Sequence, residues 1–119
     1  MKKILIVDDE PNILLSLDFL MKKNGFEVFI ARDGEEAIDI AQREKPAIVI
    51  LDIMMPKVDG YEVCQYLKSQ DDLSHAHVIF LSAKSKDTDI QKGYDMGADL
   101  YVTKPFSTRT LVKQVQELA

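Results

Sequence analysis

The chain has one cysteine, so no internal disulfide can form. A lone thiol fits a reducing compartment, and the fold must rest on packing. Positive charge is also scarce. Fifteen Lys and Arg face 20 Asp and Glu, for a formal net charge of −5. There is no basic stripe to release counterions from a phosphate backbone, which excludes direct nucleic-acid binding by these residues. No apolar run approaches the roughly 20 residues of a membrane span. Met1-Lys2-Lys3 resembles the start of a signal peptide, but Asp8, Asp9 and Glu10 end the apolar run that follows after four residues, too soon for a signal. Linkers, repeats and low-complexity tracts are missing. So is a glycine-rich first turn: Asp8-Asp9-Glu10-Pro11 stands where a nucleotide or flavin module would place glycines. These absences leave a cytoplasmic protein with one domain over residues 1–119. With 46% hydrophobic residues, that domain has a sizeable core.

What is present is a regular alternation. Ile4–Val7, Phe26–Ala31, Ala47–Leu51, Val78–Leu81 and Leu100–Val102 are short β-branched or aromatic runs that read as strands. Between them lie helical patterns. Pro11 suits a first turn, and Ile13, Leu14, Leu17, Leu20 and Met21 recur at helical spacing until Asn24-Gly25. Glu35–Glu44 turns Ala37, Ile38 and Ala41 inward, and Tyr61–Ser69 buries Val63, Cys64 and Leu67. Gln70–Ala76 reads as a polar loop. Asp87–Met96 carries Ile90 and Tyr94 on one face, and Ser107 caps a last helix with Leu111, Val112, Val115 and Leu118. Strand and helix alternating in this way predict a parallel sheet with helices on both faces.

Ligands of such sheets bind beyond the carboxyl ends of the strands. The first strand ends in Asp8-Asp9, the third in Asp52, the fourth in Ser82 and the fifth in Lys104. Each alone has an ordinary reading as a cap, turn or surface residue; their joint occurrence at four strand ends does not. Clustered carboxylates repel unless a cation sits among them, and hard divalent ions such as Mg²⁺ take oxygen ligands. Mg²⁺ would bring in a phosphoryl group, with Lys104 balancing charge and Ser82 hydrogen-bonding a phosphoryl oxygen. One carboxylate can itself be the nucleophile.

Asp8-Asp9, the run Leu51-Asp52-Ile53-Met54-Met55-Pro56 with Asp59-Gly60, Ser82-Ala83 and Lys104-Pro105-Phe106 together resemble the receiver domain of two-component response regulators. The resemblance spans the whole chain. It implies a flavodoxin-like fold with strand order 2-1-3-4-5 and a cis Lys104-Pro105 peptide. It implies that Asp52 is the phosphoacceptor, and that Asp8, Asp9 and Asp52 hold Mg²⁺ (or Mn²⁺) with the Met54 backbone carbonyl. Ser82 is then the switch hydroxyl, Tyr101 the switch aromatic and Lys104 the phosphate-contacting lysine. The implied donor is the phosphohistidine of a sensor histidine kinase or phosphotransfer protein. The implied output is a remodelled face of fourth helix, fifth strand and fifth helix, read by a partner, an output domain or a phosphorylation-dependent homodimer. Such a domain promotes its own phosphotransfer and dephosphorylation rather than acting as an enzyme on other substrates.

Other readings fare worse. A haloacid-dehalogenase-type phosphohydrolase needs a second acid two residues after the nucleophile, where Met54 stands. A non-phosphorylated pseudo-receiver would lack a key residue, and none is missing. His75 and His77 have no third ligand nearby and read as surface residues, and Cys64 as a small buried hydrophobe. The winged-helix transcription-factor branch bears charges on the output face. By position only Asp99 is charged there, while Ile90, Leu100, Thr110 and Gln114 stand where charges are expected. A stand-alone receiver and the receiver of a larger regulator both stay open.

Overall fold

The computed structural model describes residues 1–119. Five strands, β1 (Lys3–Val7), β2 (Glu27–Ala31), β3 (Ile48–Leu51), β4 (His77–Ser82) and β5 (Leu100–Thr103), alternate with five helices. The helices are α1 (Pro11–Lys23), α2 (Gly34–Glu44), α3 (Gly60–Ser69), α4 (Asp87–Asp95) and α5 (Thr108–Leu118). The sheet is parallel throughout, in the order β2-β1-β3-β4-β5 expected for a flavodoxin-like fold.

The pleat divides the core in two. Leu5, Val7, Val49, Leu51, Val78 and Phe80 face α2 and α3, meeting Ala37, Ala41, Val63, Cys64 and Leu67. Ile4, Ile6, Ile48, Ile50, Ile79 and Leu81 face α1 and α5, meeting Leu14, Leu17, Met21, Leu111 and Val115. Every residue of β3 is buried, which is why its sequence is an unbroken apolar run. Local chemistry sets the helix starts. Asp33, Asp59 and Ser107 accept from the backbone N–H groups of Glu36, Glu62 and Thr110, capping α2, α3 and α5. Pro11 opens α1, where a missing N–H costs nothing.

Two details differ from the sequence pattern. In α2 the buried stripe is Ala37, Ile40 and Ala41, with Ile38 only half-buried. Positions i, i+3 and i+4 define the stripe, and Ile38 lies about 100° around from Ala37. The polar stretch Gln70–Ala76 is also anchored: Leu73 and Ala76 are buried, and the Ala76 N–H donates to the Leu73 carbonyl.

Candidate functional site

Register builds the site. Val7 pairs with Leu51 and Leu51 with Phe80, so β1, β3 and β4 end nearly level. The ladder runs one step further, because the Asp52 N–H donates to the Val7 carbonyl at 2.9 Å. Asp8 and Asp52 therefore leave the sheet side by side. Ser82 pairs with Thr103, and the Lys104 N–H donates to the Ser82 carbonyl at 2.8 Å, which carries Lys104 over the same edge. The Lys104-Pro105 peptide is cis.

Carboxylate oxygens of Asp8, Asp9 and Asp52 lie within 4.8 Å of one another. Asp8 and Asp52 are buried, Asp9 exposed. The Lys104 ammonium sits among them, 2.9 Å from Asp8 Oδ2, 3.1 Å from Glu10 Oε1 and 3.8 Å from Asp52 Oδ2. One cation thus serves a cluster of acids. Burial pushes the Asp52 carboxyl up to about 6, and the Asp8 charge pushes the same way, against the opposing pull of Lys104 and the Ile53 N–H. Burial raises Asp8 as well, only partly offset by the Glu10 N–H and Lys104. Burial alone would lower Lys104, but its hydrogen bonds to Asp8 and Glu10 outweigh that and hold it above its ordinary value. A hard divalent cation among these oxygens would offset both the burial of their charge and the repulsion between Asp8 and Asp52, so the donor set fits Mg²⁺. No histidine enters it.

The Gly60 end of α3 presses on the Asp52 backbone. A Cβ on Gly60 would stand 2.2 Å from the Asp52 carbonyl oxygen, so only glycine lets the helix start there. Beside the carboxylates a groove of about 550 Å³ runs between Asp9, Met54, Pro56, Lys84 and Lys92. Its Met54 side chain is 60% exposed.

Behind the site an aromatic series links α3 to β5. Tyr61 meets Phe80 edge-on at 5.6 Å, and Phe80 meets Tyr101 at 5.9 Å. Ser82 is fully buried, and its Oγ accepts from the Lys84 N–H at 3.2 Å. The Tyr101 hydroxyl donates to the Lys84 carbonyl at 2.7 Å, so the ring already lies inward under α4. Burial lifts this hydroxyl to about 12, while the neighbouring Ser82 hydroxyl opposes the shift.

Three residues of this region, Glu10, Tyr61 and Gly93, escaped the sequence reading. Glu10 reaches Lys104 across 94 positions, a separation no local pattern shows. Tyr61 donates to the Asp89 carbonyl at 3.2 Å and tethers α4, yet in sequence it is one more apolar helix residue. The Lys84 backbone serves both Ser82 and Tyr101. Gly93 gives Tyr101 its room, since a Cβ there would stand 2.7 Å from Tyr101 Cδ2. A glycine inside a helical pattern was the one available signal. Asp99, placed by position on the output face, is exposed there, accepts from the Val78 N–H at 2.8 Å and pairs with Lys68 and His77. His77 opens β4 beside it, and Cys64 is buried with its thiol pushed up to about 11 by desolvation.

Compared with protein-family models, residues 4–116 match the response regulator receiver domain. The chain belongs to this family. Solved structures agree with the match. The receiver domain is 36% identical to the BeF3-activated DrrB receiver domain, covering 99% of this chain and 97% of that one with a TM-score of 0.91. It is 34% identical to the signal receiver domain of a signal transduction histidine kinase from Syntrophus aciditrophicus, covering 99% and 89% at a TM-score of 0.91. Against chemotaxis protein CheY4 of Vibrio cholerae the identity is 30%, the coverage 100% and 99%, and the TM-score 0.93. The receiver domain is thus a phosphorylation-signalling unit of a two-component system. No helix is long and apolar enough to cross a membrane.

Proposed function

We propose that the protein is a phosphorylation-dependent switch that accepts a phosphoryl group on Asp52. The donor is the phosphohistidine of a sensor histidine kinase or phosphotransfer protein. Residues 1–119 act as one receiver domain, in the cytoplasm. The observation that carries this reading is the gathering of Asp8, Asp9 and Asp52 within 4.8 Å around one lysine.

Asp8, Asp9 and Asp52 would hold Mg²⁺, with Mn²⁺ as an alternative and the Met54 carbonyl as a further ligand. When bound, the ion supplies charge neutralisation and draws in phosphoryl oxygens. In the transfer an ionised Asp52 oxygen forms a bond to phosphorus. The bond from phosphorus to the imidazole nitrogen breaks in line, and the nitrogen keeps the electron pair. Protein groups position and neutralise; none exchanges a proton with the phosphoryl group. The Ile53 N–H fixes one Asp52 oxygen at 2.8 Å, leaving the other to react. Lys104 is already 3.8 Å from Asp52 and takes up charge on the arriving phosphate.

The new charge and acceptor oxygens lie next to Ser82, whose hydroxyl would donate to one of them. Because the Lys84 N–H holds Ser82 and the Lys84 carbonyl holds Tyr101, a shift of Ser82 passes through the backbone of this one residue to Tyr101. The inward Tyr101 belongs to the state that phosphorylation favours, in a population shift rather than a new fold. The face of α4, β5 and α5 then changes for an effector, an output domain or a second copy. The domain promotes its own phosphorylation and dephosphorylation and acts on no other substrate.

Acetyl phosphate or phosphoramidate with Mg²⁺ tests the assignment. Intact mass should show one added phosphoryl group on the wild type and none on Asp52→Asn. Label that persists in Asp52→Asn places the acceptor elsewhere. Size-exclusion with and without beryllofluoride reads out dimerisation.

A further inference from the structure

Lys104 has one more acidic partner than the proposed chemistry calls for. Its ammonium lies 2.9 Å from Asp8 Oδ2, 3.1 Å from Glu10 Oε1 and 3.8 Å from Asp52 Oδ2. Two of its three N–H donors are spent on Asp8 and Glu10, and the acid that would carry the phosphoryl group is the farthest of the three. Asp8 and Asp52 belong to the set that would hold Mg²⁺; Glu10 does not. A cation that took up the Asp8 oxygens would loosen that acid's hold on the lysine and leave Glu10 as its hydrogen-bonded acid.

Local chemistry does not account for Glu10. It stands at the N-cap of α1 with an extended backbone, φ −91° and ψ 112°, yet its side chain makes no cap. The starts of α2, α3 and α5 carry Asp33, Asp59 and Ser107, whose short side chains reach the first-turn N–H groups. Glutamate is one methylene longer than the preferred Asp, and here its carboxylate goes to Lys104, 94 positions away. The Glu10 N–H donates to Asp8 Oδ1 at 2.9 Å, so the backbone of this residue is tied to the acidic cluster as well. The pair is unequal in exposure, 12% for the Lys104 side chain and 58% for that of Glu10. The acid can swing into solvent, while the lysine stays enclosed. Where a side chain forgoes the favoured local bond, function is the expected reason.

We propose that Glu10 is a positioning residue, a latch that draws the Lys104 ammonium away from the Asp52 oxygen where the phosphoryl group arrives. Phosphorylation then requires Lys104 to exchange Glu10 for a phosphoryl oxygen, and loss of the group returns it. Glu10 thereby slows phosphorylation and favours the unphosphorylated state. The ammonium keeps its proton throughout, and Glu10 makes no bond to phosphorus. This role rests on Asp52 being the phosphoacceptor.

Wild type, Glu10→Gln and Glu10→Asp, each with Mg²⁺ and either acetyl phosphate or phosphoramidate, test the latch, with intact mass following the label over time. In each reaction the Asp52 oxygen bonds to phosphorus as the bond to acetate or ammonia breaks, and the leaving group keeps the electron pair. Glutamine removes the charge. Aspartate keeps the charge but is too short for Lys104, and it suits the N-cap. Both variants should be labelled about two- to fivefold faster than wild type, by a similar factor with either donor, as expected for release of one partly exposed ion pair. Glu10→Asp should also melt at a higher temperature, because it caps α1. Equal rates in all three proteins overturn the latch. So does a faster Glu10→Gln beside an unchanged Glu10→Asp, which reduces Glu10 to a charge that repels anionic donors. Slower labelling of both overturns it too, and makes Glu10 the residue that holds Lys104 ready. A wild type that takes no label on Asp52 overturns the phosphoacceptor reading itself, and the latch with it.

Discussion

Asp52, the proposed phosphoacceptor, also carries a cost to the fold. Its carboxyl is raised from 3.8 to about 6, chiefly by burial and then by Asp8. Between those values the folded protein binds more protons than the unfolded chain, so in metal-free buffer stability falls as pH rises through that window. Above it the penalty is fully present, on the order of 1–3 kcal/mol. Asp52→Asn should therefore stabilise the metal-free protein by about that much at neutral pH and flatten its stability between pH 4 and 6. Urea unfolding of both proteins across that range checks it, and parallel curves would show that Asp52 is not strained. Gly93 offers a second single-residue test. In a helix interior Ala is favoured over Gly by about 1 kcal/mol. Here its Cβ would meet Tyr101 Cδ2 at 2.7 Å and Phe80 Cδ2 at 3.1 Å, an overlap that costs about 1–3 kcal/mol unless the ring leaves. Gly93→Ala is expected to gain no stability and to release Tyr101 from the Lys84 carbonyl. Tyr101 ring shifts moving toward solvent-exposed values would show the release. Unmoved shifts with a gain of about 1 kcal/mol would refute it.

At the scale of elements, the helices differ in how they are held. α1, α2, α3 and α5 each bury an apolar stripe, whereas Gly93 is the one buried residue of α4. Its ties are polar and peripheral: Tyr61 to the Asp89 carbonyl, and Lys84 to the Asp89 carboxylate at 3.8 Å. An element with little buried apolar surface belongs to the low-stability end of a fold and can be repositioned at small cost. This suits the remodelling proposed for the α4, β5 and α5 face. α5 is well packed but carries the wrong charge at its start. Arg109→Glu would place an acid in the first turn and remove the i,i+4 repulsion with Lys113, so it should stabilise the protein by about 0.5–1 kcal/mol. Thermal unfolding at low salt measures this, with the gain shrinking as salt rises. A loss of stability would mean that Arg109 has a partner within the fold.

For the molecule as a whole, the acidic cluster links metal binding to stability. On the proposed reading Mg²⁺ binds the folded site and not the unfolded chain; at a hundredfold excess over its Kd it should then stabilise the protein by about 2.7 kcal/mol. Asp9→Ala should lose most of that increment. Lys104→Ala should keep it, because the lysine competes with the ion for Asp8 rather than helping to hold it. Differential scanning calorimetry with and without Mg²⁺ separates the two. An equal loss in Lys104→Ala would place the lysine in the metal site itself.

The alternation of elements, the parallel sheet and the residues at the strand ends were legible in the sequence. Burial on both faces forces the unbroken apolar runs of β1, β3 and β4, and the acids and hydroxyl that end them stand out by contrast. Asp8, Asp9, Asp52, Ser82 and Lys104 could be named together because each lies within two residues of the end of an apolar run. Distances between segments could not be read that way. Only the tertiary structure set Lys104 between Asp8 and Glu10, turned Asp99 to the β4 backbone and folded Tyr101 beneath Gly93. Only packing of α1 against α5 brought Lys23 beside Arg109 and Lys113. A strand's pleat is a local property that each residue's chemistry records. Which side chains meet across the sheet depends on register and helix packing, and no single segment encodes those.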